Sequence, residues 1–435
     1  MNNTTTTLQS FKVNRQRLRL AAAIVVLSVL AGLLVALFLW LLDLVTQFHW
    51  QHNWLLYLLP LAGIGIYFLY RLAGKNAGAG NNLVMEEIHQ PGGGVPVRMA
   101  PLVLLTTLVT HLFGGSAGRE GTAVQMGGSI AAGIARKWKL SPADTRLLLM
   151  TGIAAGFGAV FGTPVTGAVF AIEVLVVGSL QYRAILPCLF ASALAALVCA
   201  ACGIAHTAYY ISSATPAAQW LPIAAPSVIL LGKTLLGGIA FGLASYSFSR
   251  LQHIINTISN RYIPVPWLIP FIGGLIIILL CFISGTRNYT GLGVTAPLPS
   301  DVSIVNAFHT GGASSFSWLW KIIFTAFTLG MGFKGGEVTP LFFIGATMGN
   351  ALAMATGAPV DLFAGLGFIA VFAGATKTPL ACTIMGMELF GSSYVIYFAL
   401  ACFTAFYCSG KTGIYTAQRR KTKALAATTN SNGKG

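Results

Sequence analysis

The feature that most constrains this chain is a pattern written twice. Residues 118–128 read GREGTAVQMGG and residues 335–345 read GGEVTPLFFIG, so that Glu120 and Glu337, Thr122 and Thr339, and Gly128 and Gly345 correspond at one common offset. Further along, TPVTGAVFAIE (163–173) corresponds to TPLACTIMGME (378–388), with Pro164 opposite Pro379 and Glu173 opposite Glu388. The offset is nearly half the chain, which makes two homologous halves. Of only ten acidic residues in 435, four fall on this repeat, and chance rarely places them so.

The repeat sits in a chain with very little charge. Charged residues make up 8% and apolar residues 55%, against roughly 25% charged in a soluble domain. Such a chain cannot cover itself with a solvated surface, which excludes a soluble enzyme. The net charge of +16 is spread thinly between apolar runs and forms no single stripe, which excludes a nucleic-acid binder. A polytopic membrane protein remains.

Apolar segments run over 20–42, 55–73, 99–113, 147–178, 185–205, 221–247, 267–284, 318–333, 338–357, 360–374 and 379–408. Several are too short for a simple span, and the 50 glycines and 18 prolines break others. Irregular backbone at membrane depth survives only where protein or a water-filled cavity satisfies it. That pattern belongs to transporters and channels. Repeated halves in such proteins are often inverted, with the site where broken helices of both halves meet. The expected fold is an all-α polytopic membrane protein of two inverted repeats with many short, broken and tilted helices.

Lys12, Arg15, Arg17 and Arg19 precede the first run, and Lys411, Arg419, Arg420, Lys421 and Lys423 follow the last. Basic flanks favour the cytoplasm, so both termini are expected there, with an even number of crossings. The first run resembles a signal peptide, but Leu20–Leu42 is too long for an h-region and long enough to span a bilayer. The chain therefore divides into a basic N-terminus (1–19), a first membrane repeat (20–205), an outer linker (206–227), a second membrane repeat (228–410) and a basic tail (411–435). Cys199 and Cys202 form a C-x-x-C pair with no second pair or histidine set beside it. No metal, cofactor or disulfide is expected.

Three glycine-rich turns carry polar residues: 80–84 (GNNLV), 118–122 (GREGT) and 335–340 (GGEVTP). Each reads as a turn opening a helix, and a helix start presents unpaired N–H groups and the positive end of its dipole. Several such starts meeting at mid-membrane would bind an anion without a full buried cation. The alternative is that the glycines serve only close helix packing.

These motifs resemble those of the CLC anion channels and exchangers. GREGT resembles the family's GREGP, GGEVTP its GGxFxP and GNNLV its GSGIP. The closing SGKTGIYTAQR is similar to the segment that carries the family's anion-coordinating tyrosine, here Tyr415. The resemblance runs from about residue 20 to 420 and includes the helices of Glu173 and Glu388. Three departures from it are Asn81 for serine, Thr122 for proline and Val338 for phenylalanine; Glu337 and Thr339 add polarity. Where the family's chloride exchangers carry an inner proton-relay glutamate, this chain has Val174. The combination resembles the fluoride-exporting branch, which implies fluoride/proton antiport across the cell (inner) membrane by a homodimer with one pathway per subunit.

Fluoride is small and tightly hydrated, so stripping its water demands close hydrogen-bond donors. The amides of Asn81 and Asn82 supply more than a serine hydroxyl, although asparagine also stabilises turns. The resemblance favours Asn81. With it, Tyr415, Gly121, Glu337, Val338 and Thr339 form the expected anion shell. Glu120 is the expected gate and proton carrier, since a carboxylate among helix starts occupies an anion's place until protonation releases it. Glu337 either donates a hydrogen bond when protonated or holds Glu120 or Lys334 in place. Glu173 and Glu388 read as structural acids. Arg119 either attracts anions or braces its turn.

Two rivals stand beside this reading. One is a chloride-selective exchanger or channel of the same fold. The other is an intramembrane serine hydrolase, since residues 114–118 (GGSAG) match G-x-S-x-G around Ser116, with His111 upstream. No strand is expected before that motif, and the chain is read as a transporter of fluoride or chloride and protons, with no enzymatic activity.

Overall fold

The structure, a computed structural model, describes residues 2–92, 94–212 and 227–420, with side chains from Arg15 onward. The Lys12 side chain, most of the 206–227 linker, and Lys421 and Lys423 lie outside the described residues. The first half runs through α1 (Asn2–Gln51), α2 (Leu59–Leu69), α3 (Asn81–His89), α4 (Met99–Leu112), α5 (Glu120–Lys137), α6 (Pro142–Phe161), α7 (Pro164–Glu173) and α8 (Ile185–Ala201). The second runs through α9 (Val228–Tyr262), α10 (Leu268–Ser284), α11 (Ser317–Gly330), α12 (Val338–Thr356), α13 (Val360–Thr376), α14 (Pro379–Phe390) and α15 (Val395–Cys408). Helices α4–α8 correspond in order to α11–α15. The exception is α3, opposite which the second half has the irregular stretch 285–316.

Local chemistry explains the breaks. Ser141 caps α6, its hydroxyl accepting from the Asp144 N–H at 3.2 Å, with Pro142 at the first helical position. The apolar run 147–178 is two helices because Gly162, at φ +70°, ends α6 before Pro164 opens α7. The run 379–408 is likewise broken, by Gly391 at φ +89°. The apolar run 20–42 is the middle of one long helix, Asn2–Gln51. Helix α5 matches no apolar run, because its first turns hold Glu120, Thr122 and Gln125, yet those side chains are buried.

Reciprocal contacts fix the relation between the halves. Gly118 and Gly336 form an antiparallel bridge, each N–H donating to the other's carbonyl at 2.6 and 2.7 Å. The Glu173 carboxylate accepts from the N–H groups of Leu380 and Ala381, at 3.1 and 2.7 Å, at the start of α14. The Glu388 carboxylate accepts from Val165 and Thr166, at 2.9 and 2.8 Å, at the start of α7. Residue i of one half meeting residue j of the other, and j meeting i, is the signature of a two-fold axis. A translation cannot produce it, so a two-fold axis relates the two repeats.

Close packing draws on glycine as well. A Cβ on Gly127 would lie 2.0 Å from the Gly152 carbonyl oxygen, and one on Gly345 would lie 2.0 Å from that of Gly367. Helices α5 and α6, and α12 and α13, thus cross at backbone contact. At the centre, Phe157, Phe170, Phe342, Phe368 and Phe372 from both halves stack into one aromatic core. Among the described residues six helices are long and apolar enough to cross a membrane. Large apolar side chains on the perimeter, such as Trp40, Leu197, Leu236 and Phe282, are exposed and suit lipid contact. The molecule is an all-helical polytopic membrane protein.

Candidate anion and proton site

The three glycine-rich turns open α3, α5 and α12, and their first residues converge. Gly80 precedes α3 at φ +60°, a conformation that favours glycine. The Gly118–Gly336 bridge draws the other two turns together. A Cβ on Gly121 would stand 3.0 Å from the Gly336 Cα and 3.1 Å from the Asn81 Nδ2, so only a hydrogen fits between the three segments. Three positive helix ends therefore face one region.

Glu120 fills part of that region. Its Oε2 accepts the Thr339 N–H at 3.0 Å, and the Thr339 hydroxyl lies 2.7 Å from Oε1 and 2.6 Å from Oε2. The Arg119 N–H donates to Oε2 at 3.2 Å, and the Arg119 Nε lies 3.5 Å from Oε1. The carboxylate of one half thus sits on the first turn of α12 in the other half, 1% exposed. It occupies the position of an anion at a helix start.

Spaces lie on both sides of it. On one side a pocket of about 20 Å³ is bordered by Arg119, Glu120, His206 and Thr339. Arg119 and His206 also line a first vestibule of about 780 Å³, which the end of α1 reaches. On the other side a cavity of about 140 Å³ is lined by Asn81, Asn82, Gln125, Gln252, Glu337 and Tyr415. Tyr415 also borders a second vestibule of about 1080 Å³, walled by Arg250, His253, Lys411, Arg419 and Arg420. The parallel pair β1 (Val176–Val177) and β2 (Arg419–Arg420) holds that tail segment against the first half. Glu120 borders the first chain of spaces, and its neighbour Gly121 abuts Asn81 on the wall of the second.

The expected site residues separate into groups. Asn81, Glu337 and Tyr415 share the 140 Å³ cavity. Thr339 holds Glu120 instead, and Gly121 abuts Asn81. Val338 is buried, and its side chain lines none of these spaces. The two asparagines differ: the Asn82 Oδ1 accepts from the Ala417 N–H at 3.1 Å and ties down the tail, whereas the Asn81 Oδ1 has no partner among the described residues. Glu337 Oε1 is met by the Gln252 Nε2 at 3.4 Å. Lys334 does not pair with it; its Nζ lies over the Tyr70 ring, 4.6 Å from the centroid. Among the described residues the ion pair is Arg119–Glu120.

Sequence reasoning missed Gln125, Gln252 and His206. Gln125 carried a signal, since the repeat has Phe342 at the matching place. Gln252 lies on a long helix and His206 in the linker, and no pattern distinguishes either. The serine-hydrolase arrangement does not form. The Ser116 hydroxyl bonds the Thr325 hydroxyl at 2.8 Å, while both His111 ring nitrogens face main-chain carbonyls, of Thr107 and Ala117.

A family model described as voltage gated chloride channel matches residues 61–410. This chain belongs to the CLC family. A chloride/fluoride channel protein of Pseudomonas syringae pv. tomato is 46% identical to this CLC chain over 398 residues, covering 90% of this chain and 84% of the relative. The H(+)/Cl(-) exchange transporter ClcA of Vibrio cholerae is 26% identical, covering 77% and 71%. Among solved structures, a CLC-type fluoride/proton antiporter superposes with a TM-score of 0.85 at 34% identity, covering 92% of this chain and 98% of the other. A slow cyanobacterial Cl-/H+ antiporter superposes at 0.71 and 19% identity, covering 94% and 98%, which shows the shared fold. The CLC family consists of membrane ion channels and transporters, and this chain is one of its multi-pass members.

Proposed function

We propose that this CLC protein exports fluoride in exchange for protons, with Glu120 as both gate and proton carrier. The observation that carries the proposal is the seat of the Glu120 carboxylate on the start of α12, between two water-sized or larger spaces. Ionised, it competes with an anion for the same donors. Protonated, it loses much of that attraction, and a hydrated anion can take its place. The inner cavity offers a destination for the protonated side chain, where Glu337 and Tyr415 present polar groups. Val174 is apolar and 2% exposed, so it supplies no second relay, and the proton travels on Glu120 itself.

Fluoride is the preferred substrate because Asn81 brings a two-donor amide against Gly121 in the narrowest part of the site. Similarity to a CLC-type fluoride/proton antiporter supports that choice. Similarity to a chloride/fluoride channel protein keeps chloride as the competing substrate. Asn81, Gly121, Glu337, Val338, Thr339 and Tyr415 are the proposed anion shell. The proposed orientation places the arginine-walled vestibule and both termini in the cytoplasm of the cell (inner) membrane, following the bias of basic residues. All of the site comes from one chain, which suits a homodimer of independently working subunits, divided along the chain at the boundaries given above.

The test is ion flux from liposomes containing the purified protein. Fluoride efflux much faster than chloride efflux, with protons driven uphill by a fluoride gradient, is the expected result. Asn81→Ser should narrow the fluoride preference by about tenfold, the equivalent of one hydrogen bond to a charge. Equal fluoride and chloride rates in the unaltered protein would remove the fluoride assignment and leave the CLC fold intact.

A further inference from the structure

We infer that His206 passes protons between the outer vestibule and Glu120. The inference rests on the antiport reading above and adds to it the outer half of the proton path.

His206 follows α8 and packs its ring against Gly162, where a Cβ would lie 2.6 Å from the His206 Cδ2. That fit sets the ring at the end of α6. It borders two spaces at once, the 780 Å³ vestibule and the 20 Å³ pocket that Glu120 also borders. Its Nε2 is buried and has no hydrogen-bond partner among the described residues. A buried ring nitrogen without a partner is costly in a structural histidine. It is what a group that takes up and gives away a proton requires.

The pocket decides the route. A space of about 20 Å³ exceeds the roughly 10–15 Å³ that one water needs, and the site is polar enough to hold it. One water between the His206 ring and the Glu120 carboxylate completes a relay. The step balances without any other reactant. Imidazolium gives its Nε2 proton to the water, the water gives one to a Glu120 oxygen, and the neutral ring regains a proton from vestibule water. Imidazole is the side chain whose ordinary pKa suits this traffic near neutral pH.

Charged and titratable groups face His206 on each side. Arg119 and Glu120 border the pocket, and Tyr209 comes from the same segment as His206. Across the vestibule stand His49, His111, Asp43, Asp301 and Arg287. Both nitrogens of His111 already face carbonyls, and the His49 Nδ1 bonds the Leu112 carbonyl at 2.9 Å. His206 alone among these histidines also borders the pocket of Glu120. Burial and the Arg119 charge both favour its neutral form, so its protonated form is short-lived and a ready donor.

The test measures fluoride-driven proton movement in liposomes as the pH on the vestibule side is varied. In His206→Gln, which keeps the shape but does not titrate, turnover should fall about a hundredfold, the low end for a general acid or base. The fluoride-to-proton ratio should stay unchanged, because Glu120 remains the carrier. The unaltered protein should speed up as vestibule pH falls, and the variant should lose that dependence. In His206→Ala, imidazole added to the vestibule side should restore rate, a response a purely structural role would not give. Turnover within twofold of the unaltered protein at every pH, or a slow His206→Ala that imidazole does not rescue, would overturn the inference. A Glu120→Gln protein that still couples protons would instead remove Glu120 as the carrier, and an unaltered protein that moves no protons would sink the antiport reading itself.

Discussion

Glu173 and Glu388 are one repeat pair, and Glu120 and Glu337 are another, but the two pairs behave differently. The first pair keeps its symmetry: each carboxylate accepts two main-chain N–H groups at the start of the opposite half's helix. The second pair breaks it. Glu120 is seated on Thr339, whereas Glu337 leaves the matching Thr122 alone and meets Gln252. Symmetric contacts serve a scaffold. A transport pathway needs two unlike ends, and the proposed function puts the broken pair on it.

The break has a local cause. In the first half the Thr122 hydroxyl is engaged by that of Thr107 at 2.8 Å. In the second half Thr325, one residue beyond the position that the motif offset sets opposite Thr107, has its hydroxyl held by Ser116 instead. Thr339 is thereby free to hold Glu120. The matched threonines of the two halves thus have different hydroxyl partners, and α3 is present in the first half only.

The strongest way to break this comparison is to neutralise both members of the unlike pair. Glu120→Gln should abolish proton movement driven by a fluoride gradient, while Glu337→Gln should keep the coupling ratio and slow turnover by at most about tenfold. Equal loss in both would mean that the carboxylates share one role. The like pair should respond equally. Glu173→Gln and Glu388→Gln each remove an acceptor oxygen from helix-start N–H groups, buried at Ala381 and exposed at Val165, at a cost of about 1–3 kcal/mol where the group is buried. Denaturant or thermal unfolding in detergent would measure it, and an altered fluoride-to-proton ratio in either variant would deny them a purely structural role.

Smaller effects sharpen the same contrast. Thr339→Val should reduce coupled turnover by about tenfold, the worth of one charge-assisted hydrogen bond, and Thr122→Val by no more than about twofold. Ser116→Ala frees Thr325 to compete for Thr339, and about threefold slower turnover is expected from partial loss of that seat. The smallest change is expected from Val174→Ala. Proton coupling measured beside fluoride flux should stay within experimental scatter, and a lost ratio there would place a relay at that helix end.

The sequence by itself determined the membrane class, because too few charges exist to cover a soluble surface, and the two halves, because the acid-bearing turns repeat. It also marked the three helix starts, since glycine followed by polar residues punctuates an apolar chain legibly. It marked α5 only through that turn, as polar residues buried against other protein look like an interruption in an apolar pattern. The two-fold relation of the halves lay outside its reach, because a repeat looks the same whether translated or rotated; the reciprocal Gly118–Gly336 and Glu173–Glu388 contacts decided it. So did the division of labour among matched residues. Glu120 and Glu337 are equivalent along the chain, and what separates them is which hydroxyl Ser116 takes up across more than 200 residues. His206 and Gln252 join the site for the same reason: a side chain's partner is set by the packing of distant segments, and local pattern carries no record of it.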